Sequence, residues 1–256
     1  MINRIYSEDC FKTMERLDKC VDIILTSPPY NMTKRKGGYA DTGRYDVYND
    51  WLEEEDYLDF TKNLFCDFDK ILKPNKLVLY NFSYSIENPS LPYKLVSYLE
   101  KNTPFTLVDT IIWKKKSGLP FPANKRRLSR NWEFVFVFCR KTEIDTFDIY
   151  KPISSVSEKT GQTYYNVFYN FVEAKNNDEK CPYNQATYSS DLCKQLLSIY
   201  SKKGDVCYDP FIGSGTTAIA CEELGLNCIG SELSENQCEW ARERIENFKS
   251  NKVINT

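Results

Sequence analysis

Val206-Cys207-Tyr208-Asp209-Pro210-Phe211-Ile212-Gly213-Ser214-Gly215-Thr216-Thr217 is the stretch that decides the fold. A short strand-forming run enters a proline and a glycine turn, and Ala218 to Leu224 then predicts a helix ended by Gly225. Asn227 to Ser231 predicts a second strand, with Glu232 at its tip. Strand, glycine turn, helix and strand form the repeating unit of a parallel α/β sheet. In that unit the glycines admit a ligand close to the backbone, and the helix N-terminus offers amide donors to a carboxylate or phosphate. An acid at the tip of the second strand commonly takes ribose hydroxyls.

The loop differs from a nucleoside triphosphate loop. It has no Gly-Lys-Ser/Thr, and its spacing is not Gly-x-Gly-x-x-Gly. Asp209 stands before the glycines, where it would repel pyrophosphate and could pair with an ammonium. Ammonium, carboxylate and ribose together describe S-adenosylmethionine.

Towards the N-terminus, Val21-Asp22-Ile23-Ile24-Leu25 predicts a buried parallel strand that runs into Thr26-Ser27-Pro28-Pro29-Tyr30. Two prolines have no amide hydrogens and fixed φ angles, so the chain leaves the sheet in a stiff, extended turn. Open α/β sheets bind their ligands at that end of the strands. Ser27 Oγ, the carbonyls and the Tyr30 ring would suit a flat molecule carrying an amino group. Taken alone, the motif reads equally as a plain loop or a polyproline ligand.

The rest of the chain alternates. Ile2–Tyr6 predicts a strand, followed by a helix through Leu17 with Ser7 as its N-cap. Asn31 to Asn49 is polar and without period, which predicts a lid. Trp51–Leu72 has helical spacing and is closed by Pro74-Asn75; Tyr93–Lys101 and Ser189–Tyr200 predict further helices. Leu77–Phe82, Phe105–Trp113 and Trp132–Cys139 predict strands. From Thr142 to Asn184 the pattern is irregular and aromatic, either an insertion that carries target recognition or aromatic core beneath a long loop. The expected architecture is an α/β, Rossmann-like, doubly wound and mostly parallel sheet, one domain over residues 1–256 with an insertion at 142–184.

Composition narrows the chemistry. The 256 residues contain no histidine, which excludes Ser-His-Asp and Cys-His mechanisms. The ten cysteines form no Cys-x-x-Cys pair, so no metal site is expected and they read as reduced core thiols. No stretch resembles a signal peptide or membrane span, which points to a cytoplasmic protein without a membrane partner. Net charge is only −2, yet Lys114 to Lys141 holds nine basic residues against one acid, Glu133. Lys114, Lys115, Lys116, Lys125, Arg126, Arg127 and Arg130, with Lys34-Arg35-Lys36, read as a polyanion groove or as a solvated loop.

The pair of motifs is specific. Asp-Pro-Phe-Ile-Gly-Ser-Gly-Thr-Thr (209–217) together with Leu-Thr-Ser-Pro-Pro-Tyr (25–30) resembles the DNA amino-methyltransferases of the β arrangement, in which the catalytic motif precedes the cofactor motif. The resemblance covers nearly the whole chain. It implies that Pro210, Phe211, Gly213 and Gly215 wrap the methionine part of S-adenosylmethionine, with Asp209 near its ammonium. Thr216 and Thr217 would hold the carboxylate, Glu232 the ribose, and Asp9 with Cys10 would face the adenine. Thr217 reads equally as a capping residue and Asp9 as a first-turn helix acid. Ser27, Pro28, Pro29 and Tyr30 would form the pocket for a base flipped out of duplex DNA. Asn184-Gln185-Ala186-Thr187-Tyr188-Ser189 resembles the family's cofactor-side segment, which often begins His-Pro; this chain departs from it there.

The resemblance further implies a restriction–modification setting and a homodimer. Thr-Ser-Pro-Pro-Tyr looks more like the N4-cytosine enzymes, whereas Asp-Pro-Pro-Tyr is the usual N6-adenine form. N6-adenine transfer, an RNA methyltransferase and a catalytically silent nucleic-acid binder are the rival readings.

Overall fold

The computed structural model describes residues 3–32, 47, 51–117, 128–151, 153–165, 169–178, 181–184 and 186–254. In chain order the elements are β1 (Arg4–Ser7), α1 (Cys10–Met14), β2 (Val21–Thr26), α2 (Glu54–Ile71), β3 (Leu72–Phe82), α3 (Leu91–Asn102), β4 (Phe105–Lys115) and β5 (Trp132–Arg140). They continue with β6 (Ile153–Val156), β7 (Thr163–Tyr165), β8 (Phe171–Ala174), α4 (Ser190–Tyr200), β9 (Val206–Asp209), α5 (Thr216–Leu224), β10 (Asn227–Glu232) and α6 (Glu235–Ile254).

Eight strands form one sheet in the order β1-β10-β9-β2-β3-β5-β4-β8. Neighbours are parallel except at β5, which runs antiparallel to both β3 and β4. The expected doubly wound, mostly parallel sheet is therefore present. Its two faces carry separate apolar clusters. One gathers Leu64, Phe65 and Phe68 of α2 with Leu95 and Leu99 of α3; the other gathers Leu192, Leu196 and Leu197 of α4 with Cys221 of α5 and Ala241 of α6. β5 serves both, with Phe134, Phe136 and Phe138 on the first face and Val135, Val137 and Cys139 on the second.

The direction of winding reverses between β9 and β2. From β2 the chain moves outward to β3, and from β9 it moves the other way to β10, so the loops after β2 and β9 diverge from adjacent strand ends. That crevice is where open α/β sheets bind ligands.

Local chemistry accounts for the departures from expectation. Asp9, not Ser7, caps α1, its carboxylate accepting from Phe11 N at 2.9 Å. The helix expected over Trp51–Leu72 begins at Glu54, where Glu54, Glu55 and Asp56 complement the positive end of the helix dipole. Pro74 does not end a helix; it lies in β3, in a register shift where Val21 pairs Leu72 but Ile23 pairs Leu77. An irregularity of this kind accepts a residue without an amide hydrogen. Helix α6 has no counterpart in the sequence reading.

In 142–184 the hairpin β6–β7 stands apart, while β8 joins the main sheet beside β4. Tyr164, Tyr169 and Phe171 are exposed, so these aromatics are not core. The lid expected at Asn31–Asn49 lies outside the described residues except for Asn31, Met32 and Val47. Among the described residues no helix is long and apolar enough to cross a membrane.

Candidate active site

The two motifs meet at the reversal point because a side-chain hydrogen bond ties their strands. Thr26 Oγ1, at the end of β2, donates to Asp209 Oδ1, at the end of β9, at 2.8 Å. Beyond these ends lies a cavity of about 160 Å³, walled by Ser27 and Pro29 on one side and Pro210 to Ser214 on the other. Asp9, Cys10, Glu232, Thr216 and Phe60 complete much of the wall. Thus Ser27, Pro29, Asp9, Cys10, Pro210, Phe211, Gly213, Thr216 and Glu232, expected from sequence, share one cavity.

Three of the residues expected to hold the cofactor are not on its wall. Asp209 is fully buried, and its Oδ2 accepts from Thr217 Oγ1 at 2.6 Å and from Tyr188 OH at 3.1 Å. Oδ1 takes Thr26 and, at 3.1 Å, Phe211 N. Burial pushes this carboxyl above its usual range against the four hydrogen bonds that pull it down. Asp209 is thus the buried knot that fixes the loop, set behind the wall of the cavity in which an ammonium partner was expected. Thr217 belongs to the same knot, where it also meets Tyr188 OH, and does not face the cavity. Gly215 is the third: at φ +81° it caps α5, and a Cβ there would lie 2.9 Å from Ala241 Cβ of α6. Close helix packing, not ligand approach, requires that glycine.

The wall has a distinct charge. Among the described lining residues Glu8, Asp9 and Glu232 are acidic and none is Lys or Arg. Glu232 accepts from Gly213 N at 3.1 Å through Oε2 and from Ser234 N at 3.0 Å through Oε1, which holds it across the glycine turn. The Arg16 guanidinium holds the Glu8 carboxyl below its ordinary range. Burial pushes the Cys10 thiol up, so it presents a neutral, polarisable face. Behind the turn, Arg244 of α6 donates to Ser214 O at 3.1 Å, Thr216 Oγ1 at 3.0 Å and Asp178 at 2.7 Å. Such a cavity suits a ligand with a cationic centre, ribose hydroxyls and a flat apolar ring; a triphosphate would meet acids. The residues therefore fit S-adenosylmethionine.

The Ser27-Pro28-Pro29 turn is pinned as the prolines require. Tyr57 OH of α2 donates to Pro29 O at 2.7 Å, and Pro28 is buried. Tyr30 is not on the cavity wall. Its ring packs edge-on to Phe82, and its hydroxyl sits 2.7 Å from Ser27 Oγ, 2.8 Å from Asn81 Oδ1 and 2.9 Å from Glu133 Oε2.

The basic stretch is less uniform than its sequence. Lys114 pairs with Glu173 at 2.8 Å, Lys115 with Glu133 at 2.5 Å and Lys116 with Asp191 at 3.6 Å. Lys114 and Lys116 stay about half exposed, whereas Lys115 turns inward to the Tyr30 cluster. Lys115, expected as a phosphate contact, instead has its ammonium on Glu133 beside the Tyr30 hydroxyl. Arg130 is exposed and stacks over the Tyr84 ring at 3.9 Å. Lys34, Arg35, Lys36, Lys125, Arg126 and Arg127 lie outside the described residues.

Sequence reasoning missed Asn81, Glu133, Gln237 and Arg244, and left Asn184 without a role. Asn184 lines the cavity and donates to Gln237 Oε1 at 2.9 Å, in the segment whose first residues depart from His-Pro.

Fold and cavity together define a methyltransferase-fold protein of the S-adenosylmethionine-dependent class. A family model described as DNA methylase, of the N6/N4 methyltransferase type, matches residues 21–243, and the chain belongs to that family. It is a S-adenosylmethionine-dependent DNA methyltransferase of the amino-methylating kind. The type II methyltransferase M.SmaI of Serratia marcescens is 26% identical, covering 94% of this chain and 90% of its own. M.MthZI of Methanothermobacter thermautotrophicus is 25% identical, over 98% and 79% respectively. Among solved structures, the cytosine-N4-specific PvuII DNA methyltransferase superposes with a TM-score of 0.70 at 19% identity, covering 100% of this chain and 93% of its own. The M1.HpyAVI–SAM complex gives 0.61 at 22%, over 94% and 98%.

Proposed function

We propose that this enzyme methylates the N4 amine of cytosine in duplex DNA, with the target base flipped into the pocket beside Ser27. The observation that carries this reading is the neutral Ser27 hydroxyl on the wall of the acidic cavity, at the end of the strand tied to Asp209. An exocyclic amine is a poor nucleophile because its lone pair is delocalised into the ring. Hydrogen bonds from its two hydrogens to Ser27 Oγ and the Pro28 carbonyl draw the nitrogen towards tetrahedral geometry and free that pair. Ser27 and the proline turn thus act by positioning and preorganised dipoles. When bound, S-adenosylmethionine supplies an electrophilic methyl group.

In this reading Phe211, Pro210, Gly213 and Thr216 hold the methionine part, Glu232 the ribose, and Asp9 with Cys10 the adenine edge. Tyr30 closes the base pocket. Arg130, Lys114 and Lys116 meet phosphates, which offsets the few kcal/mol of unstacking. Residues 142–184, whose aromatics are exposed, contact the target sequence. The setting is a cytoplasmic restriction–modification system, and the enzyme acts as a homodimer.

The test incubates the protein with S-adenosylmethionine and mixed-sequence duplex DNA, then digests the DNA to nucleosides for mass spectrometry. N4-methylcytosine is the expected product. N6-methyladenine would refute the choice of base. Ser27→Ala is expected to lower turnover by about 10²-fold while cofactor affinity stays unchanged; unaltered turnover refutes its role.

A further inference from the structure

We propose that Glu133 accepts the proton released by the target amine, reached through the hydroxyls of Tyr30 and Ser27. The proposal rests on the placement of the amine at Ser27 argued above.

Methyl transfer leaves a proton to be removed. The amine lone pair forms the new N–C bond, and the C–S pair remains with sulfur. The nitrogen then carries an extra positive charge and must lose one hydrogen as a proton, keeping the N–H electron pair. A serine hydroxyl alone is a poor final acceptor, and the chain has no histidine to take the proton onward.

The geometry supplies a route. Ser27 Oγ is 2.7 Å from Tyr30 Oη, and Tyr30 Oη is 2.9 Å from Glu133 Oε2. Each distance is that of a direct hydrogen bond, so a proton arriving at Ser27 can displace one to Tyr30 and another to Glu133 without heavy-atom movement. The N–H bond breaks, an O–H bond forms on Glu133, and both hydroxyls end as they began.

Tyr30 Oη is the junction of this route. Three oxygen contacts, to Ser27, Asn81 and Glu133, converge on Tyr30 Oη, and the two hydroxyls bring two hydrogens to them. Asn81 Nδ2 donates to Phe134 O at 2.8 Å and to Glu133 Oε2 at 3.4 Å, which aims its Oδ1 at Tyr30.

Lys115 donates to the other carboxylate oxygen of Glu133 at 2.5 Å. That partner offsets the cost of placing a carboxylate whose side chain is only 12% exposed. A structural ion pair between β4 and β5 would need Lys115 alone. It would not need the second oxygen turned to the hydroxyl of the catalytic motif.

The test compares wild type with Glu133→Gln, Glu133→Asp and Glu133→Ala, using tritiated S-adenosylmethionine and unmethylated, PCR-amplified mixed-sequence duplex DNA. Cofactor Kd, measured by calorimetry, reports whether each variant keeps its fold. Glu133→Gln is expected to lower kcat on the order of 10²-fold, with KM for DNA and cofactor Kd near wild type. Glu133→Asp recovers part of the rate. In Glu133→Ala, added formate restores turnover in a concentration-dependent way and formamide does not. Wild-type kcat in Glu133→Gln, or equal rescue by formate and formamide, overturns the proposal while the enzyme's function stands. A wild-type protein that methylates no amine in DNA overturns the underlying reading, and the proposal with it.

Discussion

Gly215→Ala separates the structural use of the glycine turn from its use by a ligand. At φ +81° an alanine occupies the left-handed region, at a cost of about 1–2 kcal/mol. Its Cβ would also lie 2.9 Å from Ala241 Cβ and 3.3 Å from Ala241 Cα, both in helix α6. Overpacking of that kind adds about 1–3 kcal/mol. Gly161→Ala is the control, with φ +69° and nothing within 4 Å of the new Cβ, so only the conformational cost applies. Urea and thermal unfolding should place Gly215→Ala below Gly161→Ala by about 1–3 kcal/mol, or roughly 2–12 °C in Tm for a chain of this size. Ala241→Gly in the Gly215→Ala background should recover the packing part, less about 1 kcal/mol for glycine inside a helix. Below its melting range Gly215→Ala should bind S-adenosylmethionine as wild type does. Gly213→Ala should not, because its Cβ would lie 3.1 Å from Asn184 Nδ2 on the cavity wall. Equal destabilisation at positions 215 and 161, or cofactor affinity lost at 215 and kept at 213, refutes the reasoning.

Arg130→Ala should weaken binding to all duplex sequences alike and reduce the slope of log K against log salt by about one. An unchanged slope in titrations at several salt concentrations removes Arg130 from the interface. Lys76→Met should cost about 3 kcal/mol, because it strips the ammonium from Asp148, 2.7 Å away, and from the buried Asp22 and Asp205. Burial pushes the Asp148 carboxyl up, and the hydrogen bond and charge of Lys76 outweigh it to leave the group below its usual range. A depressed carboxyl contributes stability above its unfolded value, near pH 4, and loses it as pH falls through the folded value. Urea unfolding of Lys76→Met should therefore show a flatter fall below about pH 4 than wild type; a parallel fall in both counts against the Lys76–Asp148 pair.

What sequence conveyed and what it withheld divide along physical lines. Local signals were strong where one segment carries its own constraint: Pro28 and Pro29 stop β2, and Gly213 to Thr216 turn β9 into α5. Signals were weak where the constraint lies in a partner. Trp132–Cys139 reads as a strand, but nothing within it shows that it inserts antiparallel between β3 and β4. The Lys115–Glu133 pair depends on the register that sets Trp113 opposite Glu133. Helix α6 escaped notice because its buried contribution is a narrow stripe, Cys238 and Ala241, among charged residues. Thr216 and Thr217 look equivalent in sequence, yet adjacent helical positions point about 100° apart. One lines the cavity and the other binds Asp209.

The placement of charge around the reacting centre bears on how the site favours the transition state over the bound substrates. Glu8, Asp9 and Glu232 all lie on the cofactor side and suit a cation that is already present before reaction. Interactions made equally before and during reaction lower KM without raising kcat. As the methyl group moves, positive charge passes from sulfur to the amine nitrogen, away from those three acids. With the amine placed at Ser27 as proposed, Glu133 lies two hydroxyls behind it and is the carboxylate whose attraction would grow as that charge arrives. A neutral Ser27 at the amine, with the negative charge set back behind Tyr30, therefore divides the work. In the proposed mechanism Ser27 orients a neutral amine in the ground state, and Glu133 acts on it only once it has become cationic.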